Sequence, residues 1–485
     1  MHRFFVIVFF ILGCSDKKPN VPPVDILAKI DEKIITLEDF YNRAEYTIRP
    51  LYCRGDLYIH KKIILNNLIA EKLLSLEAES NGLGIKSEAL TNFLKGRKEQ
   101  AMRKVLYFHE GYKKVELENK EIAHYYKMAG RIYDVNYFSY PKGSFADSLK
   151  SAIDQGHSLE DIYLASFDEK IPRREVKWED SNDPLIDKWL FNNKVQKGEI
   201  LGPILLNDDS YFIMQINGWT DQIDLSDTKS IDRVEKVNNV LKERKGIDIY
   251  RDFIAEVMKG VKLDFNKDIF DPYSRSIGER FFRTKESKET ALSNALFNSD
   301  ELLDLSQIGP LDDIYNDLIL YSINGKGVTV KEFEHGIASH PLVFRNKKMD
   351  RSEFPKQFQL AIVDYIQDIY LTQKAYDLEI DKTYEVQSEE QLWLDSFKAF
   401  QYATFLNKEL TNSEPSHIEL RPYIDNLQDK YDGVIKINME LFESIQLSKV
   451  DMFVTQGNVP YPVVVPNFPS YTDDSYLDYG AKIER

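Results

Sequence analysis

Apolar and polar residues alternate along "KIDEKIITLEDF" (29–40), and the run is broken by a turn at Asp31-Glu32. Nearly the same phrase returns 293 positions later as "SINGKGVTVKEF" (322–333), with Ile30, Lys33, Thr36 and Phe40 recurring as Ile323, Lys326, Thr329 and Phe333. A period of two either side of a two-residue turn predicts a β-hairpin. Asn324-Gly325 is the stronger signal, because a tight primed turn needs positive φ at both central residues. After each hairpin, Thr36-x-x-Asp39 and Thr329-x-x-Glu332 read as capping boxes. A hydroxyl and a carboxylate there satisfy two N–H donors that a helix start leaves without partners.

The period then becomes helical. Leu65, Leu68, Ile69 and Leu73 in 65–83 fall on one helix face, and Ile362, Tyr365, Ile366 and Tyr370 in 362–380 take the matching places. Further on, "LDFNKDIF" (263–270) is echoed by "IKINMELF" (435–442). The order of hairpin, capped helix, long helices and short closing strand therefore occurs twice, the mark of a duplicated module. The duplication predicts that 318–445 packs like 25–130 plus 222–270, with Phe40 and Phe333 in equivalent surroundings. Between its halves the first copy carries an extra stretch, 131–220. It reads as a strand at "VNYFSY", two helices around a Gly turn, and two strands in 198–219 joined at Asn207-Asp208-Asp209. Residues 228–260 read as helix, while 271–317 shows no strong pattern. The final stretch, with four prolines between 460 and 469, is expected to be extended or disordered.

At 485 residues the chain has room for two to four domains, and the patterning places it in the α+β class, mostly helical. A net charge of −16 with no sustained basic run argues against a nucleic-acid partner. The amino terminus differs from the rest. Arg3 precedes nine apolar residues, Phe4–Leu12, about half of the ~20 that a spanning helix needs, so this reads as a signal peptide. Ile11-Leu12-Gly13-Cys14 resembles a bacterial lipobox, which implies lipidation at Cys14 and a membrane tether through acyl chains. Ser15 after the cysteine, by the rules of such lipoproteins, points to the periplasmic side of the outer membrane. Only Cys53 then remains, which leaves no internal disulfide and no zinc or redox spacing.

The search for catalytic constellations returns little. There is no GxSxG elbow, no phosphate loop and no HExxH, so no nucleotide is expected. His335 and His340 are five apart and fall off a common helix face. His60, His109, His124, His157 and His417 stand singly, so no metal site is expected, and no cofactor. With 28 Tyr and 28 Phe, the chain has ample aromatic area for contact with unfolded polypeptides, although most rings will be core.

"AKIDEKIITLEDFYNR" followed by "NNLIAEKLLSLEAESNGL" resembles the amino-terminal region of the SurA/PrsA-type periplasmic foldases. Residues 131–220 resemble their parvulin (PpiC-type) peptidyl-prolyl isomerase domain, best at Gly198-Glu199 and Gly202-Pro203. The resemblance implies two tandem chaperone modules, the first interrupted by a parvulin-like domain of sheet and helices. The implied division is signal peptide and lipobox 1–14, linker 15–24, first module 25–130, parvulin-like domain 131–220, and closing helix and strand 221–275. A connecting segment 276–317, second module 318–445 and tail 446–485 follow. Active members carry two facing histidines on the first and last strands of the parvulin sheet; here those positions are Tyr137 and Phe212. With both imidazoles absent, the expectation is a domain that binds proline-containing or unfolded polypeptides through Tyr137, Phe212, Trp189 and Phe191, with weak or no isomerase activity. An active isomerase and a structural scaffold of an envelope complex are the alternatives.

Overall fold

The computed structural model describes residues 25–84, 87–141, 144–178, 189–191, 194–205, 210–222, 227–294, 315–346, 349–410, 417–448 and 461–483. The expected lipidation site Cys14, the linker and the turn Asn207-Asp208-Asp209 lie outside them. In chain order the elements begin with β1 (Ile26–Ile30), β2 (Lys33–Thr36), α1 (Leu37–Glu45), α2 (Tyr58–Ser80), α3 (Glu88–Glu110) and α4 (Asn119–Ala129). The extra stretch holds β3 (Arg131–Pro141), α5 (Ser144–Asp154), α6 (Leu159–Phe167), β4 (Arg173–Lys177), β5 (Ile200–Leu205) and β6 (Ser210–Asp221). Then come α7 (Asp227–Val257), β7 (Leu263–Phe265), α8 (Lys267–Asn294), β8 (Ile319–Ile323), β9 (Lys326–Thr329), α9 (Val330–Ile337) and α10 (Phe354–Asp377). The chain closes with α11 (Tyr384–Leu410), α12 (His417–Tyr431), β10 (Ile435–Asn438), α13 (Met439–Ser444) and β11 (Ala481–Ile483). The protein is α+β and mostly helical.

The two copies of the hairpin match bond for bond. Asp31 and Asn324 take φ of 54° and 52° at the turn, and the second copy adds Gly325 at 81°. Both hairpins carry a register shift, between Ile26 and Ala28 in one and between Ile319 and Tyr321 in the other. Both threonines cap as expected: Asp39 N–H donates to Thr36 Oγ1 at 2.9 Å and Glu332 N–H to Thr329 Oγ1 at 3.2 Å, with the reciprocal carboxylate bond present each time. Phe40 and Phe333 are both fully buried behind their hairpins.

The closing strands, however, are exchanged. The duplication led us to expect β10 against β8 and β7 against the first hairpin. Instead β10 pairs antiparallel with β1, and β7 pairs antiparallel with β8. The register is conserved through the exchange: Ile435 sits opposite Ile30, and Leu263 opposite Ile323. Asp31 N–H donates to Val434 O, as Asn324 N–H donates to Lys262 O. Two closing strands of equivalent chemistry fit either hairpin, so local pattern cannot say which one each will join.

The division into units follows the exchange. One unit is formed by described residues of 1–85, 391–455 and 463–485, the other by those of 86–390 and 456–462. Each unit draws residues from both repeats. In the first unit, the sheet β11-β10-β1-β2 packs on α2, of which Leu65, Ile69, Leu73 and Leu74 are fully buried. Asp395 of α11 lies fully buried beside them. It accepts from Lys33 Nζ (2.7 Å), Lys72 Nζ (2.8 Å), Ser75 Oγ (2.9 Å) and Gln391 Nε2 (2.8 Å). Lys33 also meets Glu79 at 3.0 Å. A second buried pair, Arg43–Glu71, is bidentate at 3.0 and 2.9 Å.

The proline-rich tail is extended, as expected, but its described part is packed. Phe468, Leu477 and Tyr479 are buried in the first unit's core. Asn67 of α2 grips the tail backbone: Oδ1 accepts from Tyr471 N–H (2.7 Å) and Thr472 N–H (3.0 Å), and Nδ2 donates to Thr472 O (2.7 Å). Asn66 Nδ2 donates to Asp474 O and Tyr476 O, both at 2.8 Å. In the second unit, 271–294 is helix, contrary to the absence of pattern. Its stripe Phe270, Tyr273, Ile277 and Phe281 packs on Phe354 and Phe358 of α10.

Candidate functional site

The sheet of the extra stretch has the order β4-β3-β6-β5, with β3 and β6 central and antiparallel. Alternation along a strand sends successive side chains to opposite faces. On one face Phe138, Tyr140 and Ile213 pack against Leu149 of α5 and Leu159 and Ile162 of α6. On the other, Tyr133, Val135, Phe212, Met214 and Ile216 meet Tyr125 of α4, Leu190, Phe191, and Val237 and Leu241 of α7.

Tyr137 and Phe212 share this second face. Tyr137 is register partner to Met214, and Phe212 to Ser139, so the two rings are diagonal neighbours across the central strands. Their centroids lie 5.9 Å apart with planes 29° from parallel, a stacked pair. Phe212 is buried and Tyr137 half-buried, so the phenol forms the accessible side. Arg174 of β4 places its guanidinium 4.9 Å from the Tyr137 ring centroid. Sequence reasoning overlooked Arg174, whose only signal was its place in the short strand "RREVK". A cation over an aromatic face is attracted by the ring quadrupole. The arrangement is thus an apolar, π-rich floor edged by one cation. Among the described residues it offers no imidazole to polarise or protonate a bound amide.

The other two expected binding residues separate. Trp189 is 38% exposed. Phe191 is fully buried, edge-on to Tyr133 at 5.2 Å and Trp178 at 5.5 Å, so it is core and has no open face for a ligand. Residues 189–191 are helical, which puts 189 and 191 on different sides.

Glycines hold the β5–β6 edge in shape. Gly202, at φ 120°, lies at the register shift between Leu201 and Ile204, and a Cβ there would sit 2.8 Å from the Phe212 carbonyl oxygen. Gly198, at φ 85°, donates to Ile216 O at 2.7 Å. On the Tyr137 face burial raises the Tyr133 hydroxyl above its ordinary range, while on the opposite one the Arg173 hydrogen bonds hold Asp134 below its own. Elsewhere, Cys53 is fully buried and burial pushes its thiol up to about 12, so it stays protonated and inert at neutral pH. His340 is tied to Asp368 at 2.9 Å.

No family model matches the chain, and no curated protein matches it significantly. Among solved structures it is similar to the peptidylprolyl isomerase PrsA from Bacillus anthracis, at 13% identity over 40% of this chain and 96% of that one, with a TM-score of 0.21. It is likewise similar to the peptidylprolyl isomerase PrsA from Bacillus cereus, at 12% identity over 48% of this chain and 92% of that one, with a TM-score of 0.21.

Proposed function

We propose that this protein is an exported foldase-type chaperone, held by lipid at Cys14 on the periplasmic side of the outer membrane, which binds unfolded or proline-containing polypeptides. Its parvulin-like sheet serves binding more than turnover. The observation that carries this reading is the stack of Arg174, Tyr137 and Phe212 where the resemblance places two imidazoles. Prolyl isomerisation must stabilise a twisted amide against a barrier of ~18–20 kcal/mol. A stacked aromatic floor can accept a prolyl ring but supplies few of the hydrogen bonds that would lower that barrier.

The test pairs two assays on the full chain. It should suppress aggregation of an unfolded client while scarcely accelerating isomerisation of a proline peptide. Tyr137→Ala should weaken client binding and leave the basal isomerisation rate unchanged. Tyr137→His with Phe212→His should raise that rate. Wild-type turnover equal to that of active parvulins would make the protein an isomerase; no suppression of aggregation would remove the chaperone reading.

A further inference from the structure

We infer that residues 50–59 at the start of α2 form a membrane-contacting surface that rests on the lipid bilayer to which the chain is tethered. The inference rests on the anchored reading for its tether only; the surface itself belongs to the first unit.

Three large aliphatic side chains stand in water within nine residues: Leu51 is 80% exposed, Leu57 60% and Ile59 49%. Scattered apolar residues on a surface are ordinary, but three of this size on one short loop and helix start call for a partner. Tyr58 lies among them, its ring edge-on to Phe442 at 5.6 Å and its hydroxyl bonded to Glu443 at 2.6 Å. Lys62 Nζ sits 4.9 Å from the Tyr58 ring centroid, and Lys61 Nζ bonds Ile445 O at 2.9 Å. Arg54 stands on the same loop. Arg54, Lys61 and Lys62 thus stand near Asp56, Glu440 and Glu443, a locally balanced charge on a chain of net charge −16. Aliphatic side chains beside a tyrosine and lysines suit the headgroup boundary, where apolar groups enter and amphipathic ones stay at the interface.

Topology puts the tether at the same end. β1 runs antiparallel to β10, with Ala28 opposite Ile437, so Asp25 lies toward the end of β10 at which α13 begins. Phe442 of α13 is the residue that carries Tyr58. The chain from Cys14 to Asp25 spans at most roughly 40 Å when fully extended, which limits how far this end of the first unit can stand from the bilayer.

The experiment uses the full chain with a polarity-sensitive fluorophore on Leu57→Cys, or on Leu51→Cys. Cys53 is buried, and the control is Glu32→Cys at the exposed β1–β2 turn, the end of β1 away from Asp25. Vesicles of phosphatidylcholine alone, or with one-third phosphatidylglycerol, carry a quencher at shallow acyl depth. Emission at 51 and 57 should be lost in both compositions, while the control keeps its signal. No loss at 51 and 57 overturns the inference, as does a response only to added unfolded polypeptide without vesicles, which would assign the patch to clients. Mass spectrometry of the same preparation scores acylation at Cys14 separately, so failure of the tether and failure of the surface are told apart.

Discussion

Asp395→Asn should destabilise the first unit by about 3–5 kcal/mol, the usual cost of breaking a buried ion pair from one side. The change keeps the side chain's shape and removes its charge. Lys72 loses the only carboxylate within reach among the described residues, while Lys33 keeps Glu79 at 3.0 Å. The loss is a large share of the ~5–15 kcal/mol that holds a domain together. Urea unfolding followed through amide exchange of β1 and α2 reads it where it acts. The more searching form is a cycle with Lys72→Met and Asp395→Leu. Because Lys72 comes from the first repeat and Asp395 from the second, coupling above about 1 kcal/mol is expected only if the exchanged packing holds. Additivity within ~0.5 kcal/mol would refute it.

Three further outcomes can be measured. Burial alone would raise the Asp395 carboxyl, but Lys72 and Lys33 hold it below its ordinary value of 3.8. Its contribution is therefore complete above that value and lost as pH falls through the lower folded one, so acid melts of wild type and Asp395→Asn should converge there. Thr36→Ala and Thr329→Ala should each cost ~0.5–2 kcal/mol in urea, the two alike because the caps are alike. Asn67→Ala strands two buried backbone donors and a carbonyl, which should cost at least about 1–3 kcal/mol and open 463–483 to limited proteolysis.

What could be read from sequence was whatever is local. Thr36 and Thr329 declared their caps, Asn324-Gly325 declared its turn, and 263–270 and 435–442 declared that they are copies of one another. The exchange was not readable, because Ile435 and Leu263 present the same kind of edge to either hairpin. The tail misled through its prolines: order there depends on Asn66 and Asn67, just over 400 positions upstream. Pro272 hid α8, although the Phe270, Tyr273, Ile277, Phe281 spacing was available. At the candidate site, Tyr137 and Phe212 could be placed by the family resemblance. Phe191 could not, since its burial is decided by Tyr133 and Trp178 closing over it.

The crossed pairing of closing strands also sets an order of events during synthesis. A chain made from its amino terminus yields β1, β2 and α2 early, but their partner strand β10 arrives some 400 residues later. Until then the first hairpin has an open edge, and α2 lacks the α12 and tail residues that complete its packing, with Asn66, Asn67 and Lys72 unpartnered. The second unit is nearly contiguous, so all of it but 456–462 has been made before β10. The earliest residues are thus the last to be enclosed, and a nonsense codon near the end of the gene strips the beginning of the protein of its partner.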